Sequence, residues 1–492
     1  MLILAAWSAA AIWFFHSCGW LLYYGDAEAH LNIARRILDS QTPGYDQIGT
    51  AWLPLPHLLT LPFVGHDEWW RSGIAGSIPA AACFVAAGMF LFGAVRRVFS
   101  STAAAAAAAG LFALNPNLLY LQSTAMTEAV FFAALMALLY CSVRFRETQG
   151  WAAVAGAGIA ACAGTLARYE GWFLIPFAAL YFLIAARRRR FGLALFFCAL
   201  GALGPLYWLA HNWWLYGDPL EFYRGPYSAW AIQGNQPYPG KGSWPTAWLY
   251  FRTAAQLCAG PGLVLTAIGG AAASLARRAF WPLALLALPG VFYIWSIYSS
   301  ATPIFVPTLW PNSYYNIRYG MAALPLLAVA SAGLTAIVPS RWRAITAALV
   351  IAAGTVHWMV HPQPRNWVTW EESRINSEAR RAWTGEAAAY LAHRYVRGSG
   401  IITSFGDLTG IYRQMGIPLR ETFTGDNGLP WLATVRRPEL FLWQEWAVAM
   451  RGDAVAAAVV RDGRYSLEKS IIVKGAPVIE IYRRTGGNRG IA

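Results

Sequence analysis

Three ionisable side chains follow the first apolar run within five positions: Asp26, Glu28 and His30, in Gly25-Asp26-Ala27-Glu28-Ala29-His30-Leu31. A carboxylate can take the proton of an attacking hydroxyl when it lies within about 3 Å of it. A helix that starts at Asp26 places Asp26 and His30 one turn apart on one face. Carboxylate oxygens and imidazole are also ligands for a divalent cation, so Asp26, Glu28 and His30 are the residues for a metal if one is used. The plainer alternative is that Asp26 caps the helix. Against it stands the position of Asp26, where a membrane run ends and ionisable groups are functional or paired.

Arginine is the side chain suited to a phosphate, because its fork binds two oxygens and stays charged. Arg168 and Arg318 each sit at the end of an apolar run beside a tyrosine, Tyr169 and Tyr319. The alternative for each is an interfacial anchor that reaches toward headgroups. Glu128 and Glu170 have the same two readings, as working carboxylates or as structural partners of an arginine. Arg35 and Arg36 read as headgroup contacts of a helix lying in the membrane surface, with Leu31, Ala34, Ile37 and Leu38 on its apolar face.

The elements that must position these residues are membrane spans. Of the 492 residues 57% are hydrophobic and 13% are charged, and the mean hydropathy is +0.39. That excludes an ordinary soluble enzyme. Apolar runs near 2–22, 74–95, 102–121, 125–143, 152–167, 171–186, 191–210, 253–276, 279–298, 321–338 and 344–361 predict about eleven transmembrane helices. The first begins at Met1 with no basic region or small-residue cleavage site, so it reads as a retained span. Alternate short loops carry Arg96-Arg97, Arg144 with Arg146, Arg187 to Arg190, Arg277-Arg278, and Arg341 with Arg343. Those loops are expected in the cytoplasm, with the N-terminus, in the cytoplasmic membrane. The net charge of +14 then reads as a topology signal facing anionic lipid, not as a nucleic-acid patch. The six cysteines have no metal-type or CxxC spacing.

Two regions follow. Residues 1–362 form the membrane domain, with a first outer loop at 25–73 and a long, aromatic outer loop at 211–252. Residues 363–492 form an extracytoplasmic α/β domain. Its expected strands are Ile401–Ser404, Ala454–Val460, Ser470–Lys474 and Val478–Tyr482, with a helix at Ser377–Arg397 and a turn at Asp426-Asn427-Gly428. In the first loop the prolines of Pro43-Gly44-Tyr45 and Trp52-Leu53-Pro54-Leu55-Pro56-His57 forbid a regular helix. In the second loop, Pro237-Tyr238-Pro239-Gly240-Lys241-Gly242 reads as a mobile tip able to close over substrate.

An acid just after span 1, an in-plane helix, and the Trp52-x-Pro54-x-x-x-Leu58-Leu59 stretch together resemble the GT-C class of integral membrane glycosyltransferases. The nearest branch is that of protein mannosyltransferases and aminoarabinose transferases. Thr124-Ala125-Met126-Thr127-Glu128 resembles its acidic signal at the outer end of spans 3 and 4, and Asn316-Ile317-Arg318-Tyr319 its Asn-x-Arg-Tyr stretch. Arg168-Tyr169-Glu170-Gly171-Trp172 resembles an outer-loop motif of related bacterial membrane proteins. The resemblance covers residues 1–362. It implies a GT-C-like polytopic α-helical fold and transfer of a hexose or pentose from a polyprenyl phosphate to an acceptor hydroxyl on the outer face. The acceptor is a lipid, a glycan or a protein; membrane lipid is the other partner, and a divalent cation is possible. In this reading Asp26 is the base, helped by Glu28. Substrate contacts fall to His30, Trp52, His57, Glu128, Tyr169, Glu170, Lys241 and Tyr319, and phosphate contacts to Arg168 and Arg318. Ala27 interrupts the Asp-Glu pair common in that branch, which leaves the division between Asp26 and Glu28 open. The rival readings are a transporter or lipid flippase, which needs ionisable groups at the bilayer midplane, and a non-catalytic anchor that presents the tail.

Overall fold

Helices account for nearly every apolar run, because backbone polar groups in lipid must be satisfied within their own segment. The computed structural model describes residues 1–234, 236–299, 302–404 and 406–486; the end of the expected tail domain, 487–492, lies outside them. The chain divides into two compact units: 1–18, 50–56 and 77–372, and 19–49, 57–76 and 373–492. The boundary expected at 362/363 therefore falls at 372/373, and most of the first outer loop groups with the tail.

In the first unit each expected span has a helix, but among the described residues only six helices are long and apolar enough to cross a membrane by length and composition, or up to eight if two bent pairs each count as one. Leu2–Ser17, Trp151–Ala167 and Glu170–Ala185 are shorter. The expected span 102–121 breaks by 66° between Thr102–Ala113 and Pro116–Gln122. The Asn115 side chain accepts from Leu118 N–H there, with Pro116 at the first helical position. The expected span 253–276 is two helices, Trp244–Ala259 and Pro261–Ala276, bent by 107°. Gly260, at φ +82°, supplies the left-handed backbone and Pro261 restarts the helix. Small residues let these helices approach closely: a methyl group on Gly270 would lie 1.9 Å from Ala330 O.

The long outer loop is shorter than expected, since Leu203–Tyr216 and Trp244–Ala259 take its two ends. Its supposed mobile tip is pinned. Tyr238 is buried, Gly242 N–H donates to Tyr298 O at 3.0 Å, and Lys241 Nζ donates to Gly234 O at 2.5 Å.

The second unit is built on five strands: β1 (Ile401–Thr403), β2 (Thr422–Phe423), β3 (Trp446–Met450), β4 (Tyr465–Ile471) and β5 (Ile479–Arg484), in the order β2-β1-β3-β5-β4. β1 pairs in parallel with β2 and β3; β5 is antiparallel to β3 and β4. Side chains alternate between faces. Ile401, Trp446 and Val448 pack with Trp383, Ala387, Leu391 and Tyr412. Ile402, Ala447 and Ala449 pack with Val435, Val455 and Val459. Burial on both faces turns β3 into an unbroken apolar run, so it carries no alternation that marks it as a strand.

Ala454–Val460, expected as a strand, is helical (Ala454–Asp462). Asp453 Oδ1 accepts from Ala456 N–H at 2.8 Å and Gly463 ends the helix in the left-handed region. The strand expected at Ser470–Lys474 begins earlier, at Tyr465. Where the prolines were expected to forbid a regular helix, a short one forms: Pro56 is the second residue of Leu55–Val64 and Pro54 lies just before it.

Candidate active site

In the first unit five helical segments carry charge to one place. Arg168, at the C-terminal end of Trp151–Ala167, uses every side of its guanidinium. Nε donates to Glu170 Oε1 at 2.5 Å. Nη1 donates to Thr127 Oγ1 at 2.6 Å and to Glu128 Oε1 at 3.0 Å. Nη2 donates to Tyr293 OH at 2.5 Å, and that hydroxyl donates to Glu170 Oε1 at 2.8 Å. Arg318, in the 3-10 turn Ile317–Ala323, lies 3.4 Å from Glu128 and 3.7 Å from Glu372. Both guanidinium groups lie over the Tyr319 ring, at 5.4 and 5.0 Å, and that ring stacks on Tyr293 at 4.7 Å. Burial pushes the Glu372 carboxyl up to about 7, against the pull of Arg318 and of backbone N–H groups at 316–318. A small cavity lies among Glu128, Arg168, Glu170, Tyr293, Arg318 and Phe131.

The expected phosphate pair, Arg168 and Arg318, is thus brought together with Glu128, Glu170 and Tyr319, but not as two open cations. Three carboxylates face two guanidinium groups. A phosphate entering there would compete with these carboxylates for the two guanidinium groups. Tyr169 lies beside it: its hydroxyl donates to Ala51 O at 3.1 Å and its ring stacks on Phe222. Trp52 is half-buried in the same unit.

In the second unit the helix Gly25–Leu38 is buried over most of its surface, which corrects the in-plane reading. Its N-cap is Tyr24, so Asp26 lies inside the first turn and is not the cap. Glu28 is buried between Arg380 Nη1 at 2.8 Å and Arg413 Nε at 3.0 Å. Asp407 shares the neighbourhood: burial raises its pKa, Arg380 opposes this, and the charges of Glu28 and Asp26 add to it. His30 Nδ1 lies 2.8 Å from His57 Nε2. Burial, then the charges of His30 and Arg36, hold His57 well below the ordinary imidazole value.

Arg35 and Arg36 are buried too. Arg35 pairs with Asp39 at 2.8 Å and Asp67 at 2.6 Å, and Arg36 with Asp426 at 2.6 Å. They are therefore not headgroup contacts: each has a carboxylate that neutralises it away from water.

At about 100° per residue, Glu28 sits far round the helix from Asp26 and His30. The three side chains do not converge, and among the described residues no group of three or more His, Cys, Asp or Glu is arranged to hold a metal ion. Sequence reasoning missed Tyr293, Glu372, Arg380, Asp407 and Arg413. Each lies more than 100 residues from its partner or in a segment without a motif, and only folding reveals it.

The fold has solved counterparts. Solved ArnT from Cupriavidus metallidurans bound to undecaprenyl phosphate matches with a TM-score of 0.58 at 10% identity, over 96% of this chain and 97% of that one. The same enzyme in the apo state gives 0.55 at 12% identity over the same shares. At such identity the likeness is one of fold: the chain has the GT-C fold and is a multi-pass membrane protein. The family model described as dolichyl-phosphate-mannose-protein mannosyltransferase matches residues 71–214. No curated protein matches the chain by sequence.

Proposed function

We propose that this protein is a glycosyltransferase that moves a sugar from a polyprenyl phosphate to an acceptor hydroxyl on the outer face of the cytoplasmic membrane. The observation that carries the reading is the fold likeness to ArnT along nearly the whole of both chains, in a structure of that enzyme holding undecaprenyl phosphate. The mannosyltransferase model over 71–214 supports it, as does the placement of all the short-loop arginine clusters on one side.

Asp26 is the base. It is only half-buried, whereas Glu28, its sequence neighbour, is buried and held by two arginines. Through those two ion pairs Glu28 holds the first-loop helix in place and supports Asp26. His30 and His57 of the second unit are proposed as substrate contacts, as are, separately, Trp52, Tyr169, Lys241 and Tyr319 of the first. Arg168 and Arg318, with Glu128 and Glu170, are given a positioning role, because their charges already compensate one another.

The test is transfer from undecaprenyl-phosphate-linked mannose, glucose or aminoarabinose, assayed in membranes carrying the wild-type chain or Asp26→Asn. Loss of about 10²- to 10⁴-fold is expected, the size of a general-base contribution, with an unchanged melting temperature. Full activity of the variant would remove Asp26 from the mechanism, and absence of transfer from every donor would remove the reading.

A further inference from the structure

Two buried imidazoles of the second unit meet nitrogen to nitrogen. His30 lies on the helix Gly25–Leu38, and His57 near the start of the helix Leu55–Val64. His30 Nδ1 is 2.8 Å from His57 Nε2, with ring centroids 5.0 Å apart and ring planes at 38°. His57 is 1% exposed and His30 7%, so His57 is sealed from solvent and acts on a ligand only through His30.

A contact of that length between two ring nitrogens holds one proton: two bare nitrogens repel, and two N–H groups collide. The proton belongs either to His57 Nε2 or to His30 Nδ1. His57 Nδ1 decides between them, because it is buried and has no hydrogen-bond partner among the described residues. Burial, then the charges of His30 and Arg36, keep the His57 ring neutral, so it carries a single N–H. If His30 were the donor, that single N–H would be on His57 Nδ1, a buried donor with nothing to receive it, which folded proteins avoid. With His57 as donor, its Nδ1 is a bare nitrogen and no N–H is orphaned.

We propose that His57 is a positioning residue of the transfer reaction: its Nε2–H donates to His30 Nδ1 and so fixes His30 as the Nε2–H tautomer, a hydrogen-bond donor one turn from the base Asp26. Which imidazole nitrogen carries the proton is set by the bond that the other one makes. Residues four apart on a helix have Cβ atoms about 5–6 Å from each other, so Asp26 and His30 can serve the same bound hydroxyl. The basic nitrogen of His30 is taken up by His57, which leaves proton removal to Asp26 and gives His30 the part of a donor. His57 thus takes part in the substrate contact through His30. The inference deepens the proposed transfer and rests on it for the effect on turnover. The tautomer itself does not depend on that reading.

The experiment has two readouts on the full chain in detergent. The first is proton–nitrogen correlation NMR of isotope-labelled histidine without substrate, with His30→Gln and His57→Gln assigning the two rings. Both rings are expected to carry their proton on Nε2 and a bare Nδ1; a proton on Nδ1 of either ring overturns the proposal. The second is transfer by His57→Phe, which has no donor, and by His57→Gln, whose amide N–H can replace it. His57→Phe is expected to lower kcat about 10- to 100-fold with KM little changed, as when the partner that orients an imidazole is lost elsewhere, and His57→Gln to recover most of that loss. Wild-type kcat in His57→Phe, or equal losses in the two variants, overturns the positioning role. If His57→Phe has no melting transition, the activity of His57→Gln decides: retained supports the role, lost overturns it. If Asp26→Asn keeps full transfer while the spectrum and the His57→Phe loss hold, the proposed base fails and the tautomer lock stands. If no donor supports transfer, the transfer reading fails, and the spectrum alone decides the tautomer.

Discussion

The two buried charge clusters differ in how they are closed. In the first unit, Arg168 and Arg318 are enclosed by Glu128, Glu170, Glu372 and Tyr293, and the cavity beside them is small. In the second, Glu28 is gripped by Arg380 and Arg413 while Asp26 stays half-buried, and Arg36 pairs with a partly exposed Asp426. A carboxylate gripped by arginines ties segments together, whereas a half-buried one such as Asp26 can meet a ligand; in the first cluster Glu128 Oε2 has no hydrogen-bond partner among the described residues. Motif-like spacing does not tell these apart. Arg168 and Arg318 carry the more suggestive sequence context and the more closed geometry.

Substitutions can break or sharpen that contrast. The largest effect is expected at Asp26→Asn, a loss of transfer of about 10²- to 10⁴-fold with no loss of stability by thermal melting. Arg168→Met is expected to do the reverse and destabilise by about 3–5 kcal/mol, because it leaves buried carboxylates uncompensated. Adding Glu170→Gln should recover part of that in a double-mutant cycle. If Arg168→Met instead kept its melting temperature and lost only undecaprenyl phosphate binding, the first cluster would be a ligand site after all.

Arg36→Met in the second unit is expected to cost about 1–3 kcal/mol, less than Arg168→Met, since the Asp426 side chain is partly exposed and can take up water. Equal costs would erase the contrast.

Glu372 sharpens it through pH. Burial raises its pKa to about 7, so the folded chain holds a proton that the unfolded chain releases near 4.5. Its contribution to stability is then fully favourable below about 4.5, declines as pH rises between those values, and is lost above about 7. Melting temperatures from pH 4.5 to 7.5 should fall less in Glu372→Gln than in wild type, and an identical pH slope would contradict the buried setting. The smallest effect belongs to the half-exposed Arg97–Glu147 pair, where Arg97→Ala should cost under about 1 kcal/mol.

The sequence by itself determined that the chain is a bundle of apolar helices and where they lie, because every backbone group in lipid must be satisfied within its own segment; that two of the expected spans are sharply bent pairs, and that six to eight among the described residues are long enough to cross, was not legible there. It also determined the helix after span 1 and the residue types at the span ends, Glu128, Arg168, Glu170 and Arg318. Tertiary structure decided the rest. The identity of β3 was hidden because a strand buried on both faces has no period. Ala454–Asp462 reads equally as strand or helix until Asp453 is seen to cap it. The partners of Glu28 lie 352 and 385 residues away, and no local pattern reaches that far. Whether an arginine awaits a phosphate or already holds a carboxylate depends on distances of about 3 Å between segments remote in the chain, and those distances are fixed by packing.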